Sequence, residues 1–148
     1  MQLNTRHFGQ LDIDEKGIID FPEGLPGFED VKKFVLLAGT EENSPFKWLQ
    51  GVDNTELAFV VIDPKVFKPD YVVDIDDEEV EVLEIKDADK VVILSIVVVP
   101  EVMAEMTANL KAPVLINTEN NRGKQVVLNN GEYRIKHYIL QELRQKGG

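Results

Sequence analysis

Residues Thr107-Ala108-Asn109-Leu110-Lys111-Ala112-Pro113-Val114-Leu115-Ile116-Asn117, followed after a turn by Gln125-Val126-Val127-Leu128, decide the fold class of this chain. Pro113 keeps Ala112 out of the α region, because the ring Cδ crowds the preceding backbone. It then opens a strand over Val114, Leu115 and Ile116 at a place where a missing N–H breaks no ladder. The turn Glu119-Asn120-Asn121-Arg122-Gly123 leads into a second strand over residues 124–128. No His, Cys, Ser, Asp or Glu lies among residues 107–117, so this stretch builds architecture and carries no reacting group.

Outward from that pair the pattern repeats. Residues 90–99 are almost all apolar and β-branched, as in a strand covered on both faces, and Pro100 ends them. Residues 10–14 alternate as a half-buried strand, residues 18–21 follow Gly17, and further strands are predicted at 34–37, 46–50 and 57–62, with turns at 39–45 and 51–54. Tyr71, Val73 and Ile75 share one strand face. Asp76 and Glu79 have capping-box spacing ahead of a short helix over residues 77–84, whose Val80 and Leu83 pack down and leave its acids outside. A last strand over residues 133–139 follows Asn130-Gly131, a pair suited to a type I′ turn. It places Tyr133, Ile135 and His137 on a core face and Arg134, Lys136 and Tyr138 on the rim. Many short strands between Gly/Pro turns predict an all-β, single-domain antiparallel β-barrel-like fold over residues 1–148, with one or two short helices and a frayed tail at 141–148.

With 148 residues and an apolar share of 43%, one core needs no covalent staple. The absence of cysteine excludes disulfides and thiol catalysis and suits a reducing compartment. No basic-then-apolar leader opens the chain, and residues 91–99 are too short a run to span a bilayer, so a cytoplasmic protein without membrane contact is expected. A net charge of −11 repels nucleic-acid phosphates and attracts a basic protein. Most of it comes from Asp74, Asp76, Asp77, Glu78, Glu79, Glu81, Glu84, Asp87 and Asp89, opposed within that segment by Lys86 alone.

Candidate chemistry is sparse. Residues 12–23 approach a calcium loop, with acids at Asp12, Asp14, Asp20 and Glu23 and glycine at Gly17, but Lys16 puts a cation where an oxygen ligand belongs. A strand, a tight turn and a second strand describe them better. Gly24-Leu25-Pro26-Gly27 lacks the Lys-Ser/Thr pair of a phosphate loop; its glycines and prolines fold Phe21, Leu25 and Phe28 back on the core. His7 and His137 are the only histidines, and neither Ser44 nor Ser95 sits in a nucleophile elbow. Ser95 reads as a satisfied core hydroxyl, and Trp48, sharing a face with Phe46, as a core residue. A carboxylate- or calcium-dependent hydrolase on a β-barrel, or a ligand-binding barrel, is the alternative class.

Three ordered motifs carry a resemblance: Phe21-Pro22-Glu23-Gly24-Leu25-Pro26-Gly27-Phe28; Phe46-Lys47-Trp48-Leu49-Gln50-Gly51 with Leu57-Ala58-Phe59; and the stretch at 107–117 with 125–128. Together they resemble the flagellar assembly factor FliW family. That resemblance implies a non-enzymatic, cofactor-free β-barrel adaptor in the cytoplasm of flagellated bacteria. It implies two exclusive partners: the carboxy-terminal segment of flagellin, and CsrA, an RNA-binding repressor of flagellin translation that the adaptor sequesters away from the RNA-contacting surface. The residues add that Asp74, Asp76, Asp77, Glu78, Glu79 and Glu81 would face a basic CsrA-like regulator. Phe28 either closes its own loop or meets a partner.

Overall fold

A computed structural model describes residues 1–38, 44–129 and 131–147, with side chains through residue 144. Residues 39–43 of one expected turn, Asn130 of the expected Asn130-Gly131 turn and the last residue of the tail lie outside the described residues. In chain order the elements are β1 (Gln2–Thr5), β2 (Gly9–Asp12), β3 (Ile18–Asp20), β4 (Lys33–Ala38), β5 (Phe46–Gly51), β6 (Ala58–Ile62), β7 (Val91–Val98), β8 (Thr107–Ala108), β9 (Val114–Asn117), β10 (Arg122–Gln125), β11 (His137–Tyr138) and α1 (Ile139–Gly147). Strands β7-β6-β5-β4-β3-β10-β9 pair in that order, and β9 returns to β7 to close a barrel. Every pair is antiparallel except β10 against β3. Closure depends on β7, whose first half pairs with β9 and whose second half pairs with β6, so the longest strand is used along both edges.

Side-chain alternation sorts the apolar residues into three layers. Phe21, Phe34, Leu49, Val61, Leu94, Val114 and Ile116 fill the barrel. The opposite face of β6, β7 and β9 presents Ile62, Val97 and Leu115 outward, where residues 67–85 and 126–139 cover them. A third cluster seals the β1–β2 hairpin, which the sequence reading saw only in its second strand, onto Val35 and Val52. As expected, β7 is therefore covered on both faces. The interior packs closely enough to dictate glycine at one position: a Cβ on Gly123 would stand 2.5 Å from the Phe21 ring.

Several expectations shift. Residues 71–75 keep their alternation, with Tyr71 buried and Val72 exposed, but form no ladder. The helix Asp77–Leu83 is 3₁₀, not α, and Asp76 makes no side-chain cap. A three-residue turn stacks Val80 directly over Leu83, and Val82 beside them is also partly buried against the same cluster. The strand expected at 124–128 begins and ends earlier, although Val126 and Leu128 stay buried and still donate to Pro113 and Lys111 carbonyls. Of the strand expected over 133–139 only β11 forms; a turn before it is closed by the Arg134 N–H donating to His137 Nε2 (2.8 Å), so Tyr133 and His137 are buried as expected but Ile135 is 65% exposed. The expected frayed tail is α1, seated by buried Ile139. Ser95 is buried, yet its Oγ finds no hydrogen-bond partner among the described residues. Trp48 is only half-buried, under His7 and Phe8 of the β1–β2 turn instead of in the core.

Candidate partner interface

The acidic 3₁₀ helix lies against β10 with Leu83 buried and Asp77, Glu78, Glu79 and Glu81 exposed. At its C-terminal end, where Glu84 takes a left-handed φ of 49° and its N–H caps Glu81 O, the last carbonyls lie beyond the reach of further helical N–H groups. Side chains from β9, β10 and the turn between them supply donors instead. Asn117 Nδ2 donates to Leu83 O (2.9 Å), Asn120 Nδ2 to the same carbonyl (3.0 Å), Arg122 to Val82 O (3.2 Å) and Lys124 Nζ to Glu79 O (2.7 Å). Amide and cationic donors at a helix C-terminus also answer its negative dipole end.

Those cations also settle which acids project an unopposed field. Arg122 pairs with Glu84 at 3.3 Å, and Lys124 bridges Glu79 (3.5 Å) and Glu23 (3.3 Å). Asp77, Glu78 and Glu81 have no ion pair among the described residues and stand outward; Asp76 accepts from Asn129 (3.3 Å), and Asp74 is exposed. Upstream, the strip is pinned by the Tyr71 hydroxyl, which donates to Leu110 O (2.7 Å), and by the Val72 N–H donating to the Tyr133 hydroxyl (2.9 Å). Burial pushes the Tyr71 hydroxyl well above its ordinary pKa, and neighbouring Tyr133 adds to the shift.

Phe28 resolves differently from Phe21 and Leu25, which are buried in the barrel. It is 43% exposed, with its ring edge-on to Phe59 at 5.4 Å. Phe59 in turn leans on Phe34, and Phe34 on Phe21 at 5.0 Å, so an aromatic ladder runs from the core to the surface. The loop is held in place by Gly24, whose φ is 67° and where an added Cβ would stand 2.7 Å from the Glu29 backbone, leaving no room for a side chain.

A family profile described as FliW protein matches residues 2–139. The chain belongs to the FliW family. It is 52% identical over 144 residues to the flagellar assembly factor FliW of Thermoanaerobacter pseudethanolicus, covering 97% of this chain and 96% of that one. It is 54% identical, with the same coverages, to that of Caldanaerobacter subterraneus subsp. tengcongensis. A solved crystal structure of the flagellar assembly factor FliW superposes with a TM-score of 0.86 at 39% identity, over 94% of this chain and 96% of the other.

The FliW motifs thus hold the barrel together: Phe21 fills it, Gln50 Nε2 gathers the carbonyls of Gly51, Thr55 and Leu57, and the stretch at 107–117 supplies β8 and β9. The side groups considered for catalysis are dispersed. His7 stacks on Trp48, and His137 spends both ring nitrogens on Arg134 N and Glu142 Oε1 (3.1 Å). Ser44 Oγ accepts from the Phe46 N–H. In the calcium-like loop Asp12 pairs with the amino terminus and Asp14 caps Lys16 N; among the described residues no group of three His, Cys, Asp or Glu could hold a metal. An open cleft of about 410 Å³ beside them is lined by Met1, Glu15, Ile18, Asp20, Lys33 and Val52. No described helix is long and apolar enough to cross a membrane. Sequence reasoning picked the acids but missed Asn117, Asn120, Arg122 and Lys124, which hold them. The one available signal was Arg122 and Lys124 at period-2 spacing on one face of a strand.

Proposed function

We propose that this FliW-family chain is a non-enzymatic cytoplasmic adaptor that binds two partners in alternation: a carboxy-terminal flagellin segment and a CsrA-like RNA-binding regulator. Sequestering the regulator would relieve its repression of flagellin translation. Family membership supports the flagellar role, and the fixed strip of Asp77, Glu78 and Glu81 supports a basic partner. A regulator that holds RNA must be basic, and an acidic surface docked beside its RNA site raises the cost of bringing phosphates near. Rim charges act chiefly on association rate. Asp77→Lys, Glu78→Lys and Glu81→Lys together should slow association in stopped flow and flatten its salt dependence. Glu79 is excluded from the set because a lysine there would face Lys124. Saturating flagellin peptide should release the regulator from a preformed complex; a stable ternary species would overturn the alternation.

A further inference from the structure

The barrel's inner face comes out to solvent at the end where β7 outruns its partners. Val61 pairs with Ile96 on the inner face; two residues along their strands stand Phe59 and Val98, on the same side. Val98 pairs with Thr107, and Thr107 with Tyr138, so a single face across β6, β7, β8 and β11 carries Phe59, Val98, Thr107 and Tyr138. Phe28 extends the row beyond Phe59. Val98 is 60% exposed and Tyr138 is 42% exposed, while Thr107 between them is buried. Exposed acids lie close to part of the row, Glu29 and Asp30 directly after Phe28 and Glu101 and Glu105 in the connection from β7 to β8, while exposed Lys136 lies two residues before Tyr138.

We propose that this row docks an amphipathic helical segment of a partner protein, with one apolar stripe flanked by lysine or arginine. Val98 and the aromatic rings at both ends provide anchors, and the acids near Phe28 and Val98 complement basic flanks. Three strand spacings of about 4.8 Å match roughly ten residues of helix, enough for anchors at i, i+4 and i+7. Phe28 is already ordered by bonds from Phe28 N to Leu25 O (2.7 Å) and Val31 N to Phe28 O (3.0 Å), so little loop freedom is lost on binding. Strand addition fits less well, since the edge strand β11 offers two residues. This inference rests on the reading that the chain works by holding partner proteins.

The probe is a synthetic 14-residue helical peptide with a leucine stripe flanked by lysines, titrated into the full chain and followed by fluorescence anisotropy. A permuted peptide of equal composition without the stripe should bind at least tenfold more weakly. So should the striped peptide against Phe28→Ser combined with Val98→Ser, or against Tyr138→Ser, with far-UV circular dichroism unchanged. Ile135→Ser, which removes an equally exposed apolar residue outside the row, should leave binding intact. Equal binding of both peptides, or indifference to both row variants, overturns the surface. The probe is neither flagellin nor regulator, so this outcome is independent of whether those two bind.

Discussion

The barrel interior and the acidic strip on its wall are held by opposite means. The side chains of Phe21, Phe34, Leu49 and Val61 are joined chiefly by burial, which is non-directional and roughly proportional to area. The strip buries Leu83 fully and Ile75, Val80, Val82 and Ile85 only in part, and four polar side chains aimed at its carbonyls position it. The interior sets stability. The strip sets where charge is displayed, through contacts whose loss should leave the barrel standing.

That contrast can be broken most directly at Phe21. Phe21→Ala should cost about 3–5 kcal/mol in urea unfolding. A loss no larger than that of any strip variant would erase the distinction.

Next comes Asn117→Leu, which removes an amide donor and leaves buried acceptors short; about 1–3 kcal/mol is expected. The sharper readout is faster amide exchange confined to residues 77–85.

Tyr71→Phe should cost about 0.5–1.5 kcal/mol through the lost bond to Leu110 O. It also has a pH signature. Because burial raises the folded-state pKa, the stabilising contribution is complete below the unfolded value of about 10 and is lost as pH rises above it. Urea midpoints should therefore fall between pH 8 and pH 11 more steeply for the wild type than for Tyr71→Phe.

The smallest stability effect is expected for Lys124→Ala, under about 1 kcal/mol, since its partners Glu23 and Glu79 are exposed. Association with a basic regulator should nevertheless accelerate, because a cation inside the acidic field is gone. Unchanged rates would show that the strip is not the steering surface.

Much of the barrel was legible because burial leaves a periodic trace. β7 reads as covered on both faces, Val126 and Leu128 alternate with exposed Val127, and Pro113 marks where β9 opens. Periodicity misled where a polar contact overrode it: Ile135 fits a core face but is turned outward by the Arg134–His137 bond. For the partner surface, the acids were visible as composition, while their anchoring was not. Leu83 and Asn117 meet across 34 positions of sequence, and no local pattern encodes that meeting.

The sequence by itself determined an acidic, cysteine-free chain of short strands, because apolar alternation, turn residues and charge are local quantities written into the order of residues, and three of its motifs carried the resemblance to the FliW family. Only the tertiary structure decided which acids are neutralised by Arg122 and Lys124, that Phe28 stays outside while Phe21 and Leu25 go in, and that Phe59, Val98 and Tyr138 share one face. Each depends on strand register and on contacts between distant segments, and these exist only once the barrel has closed.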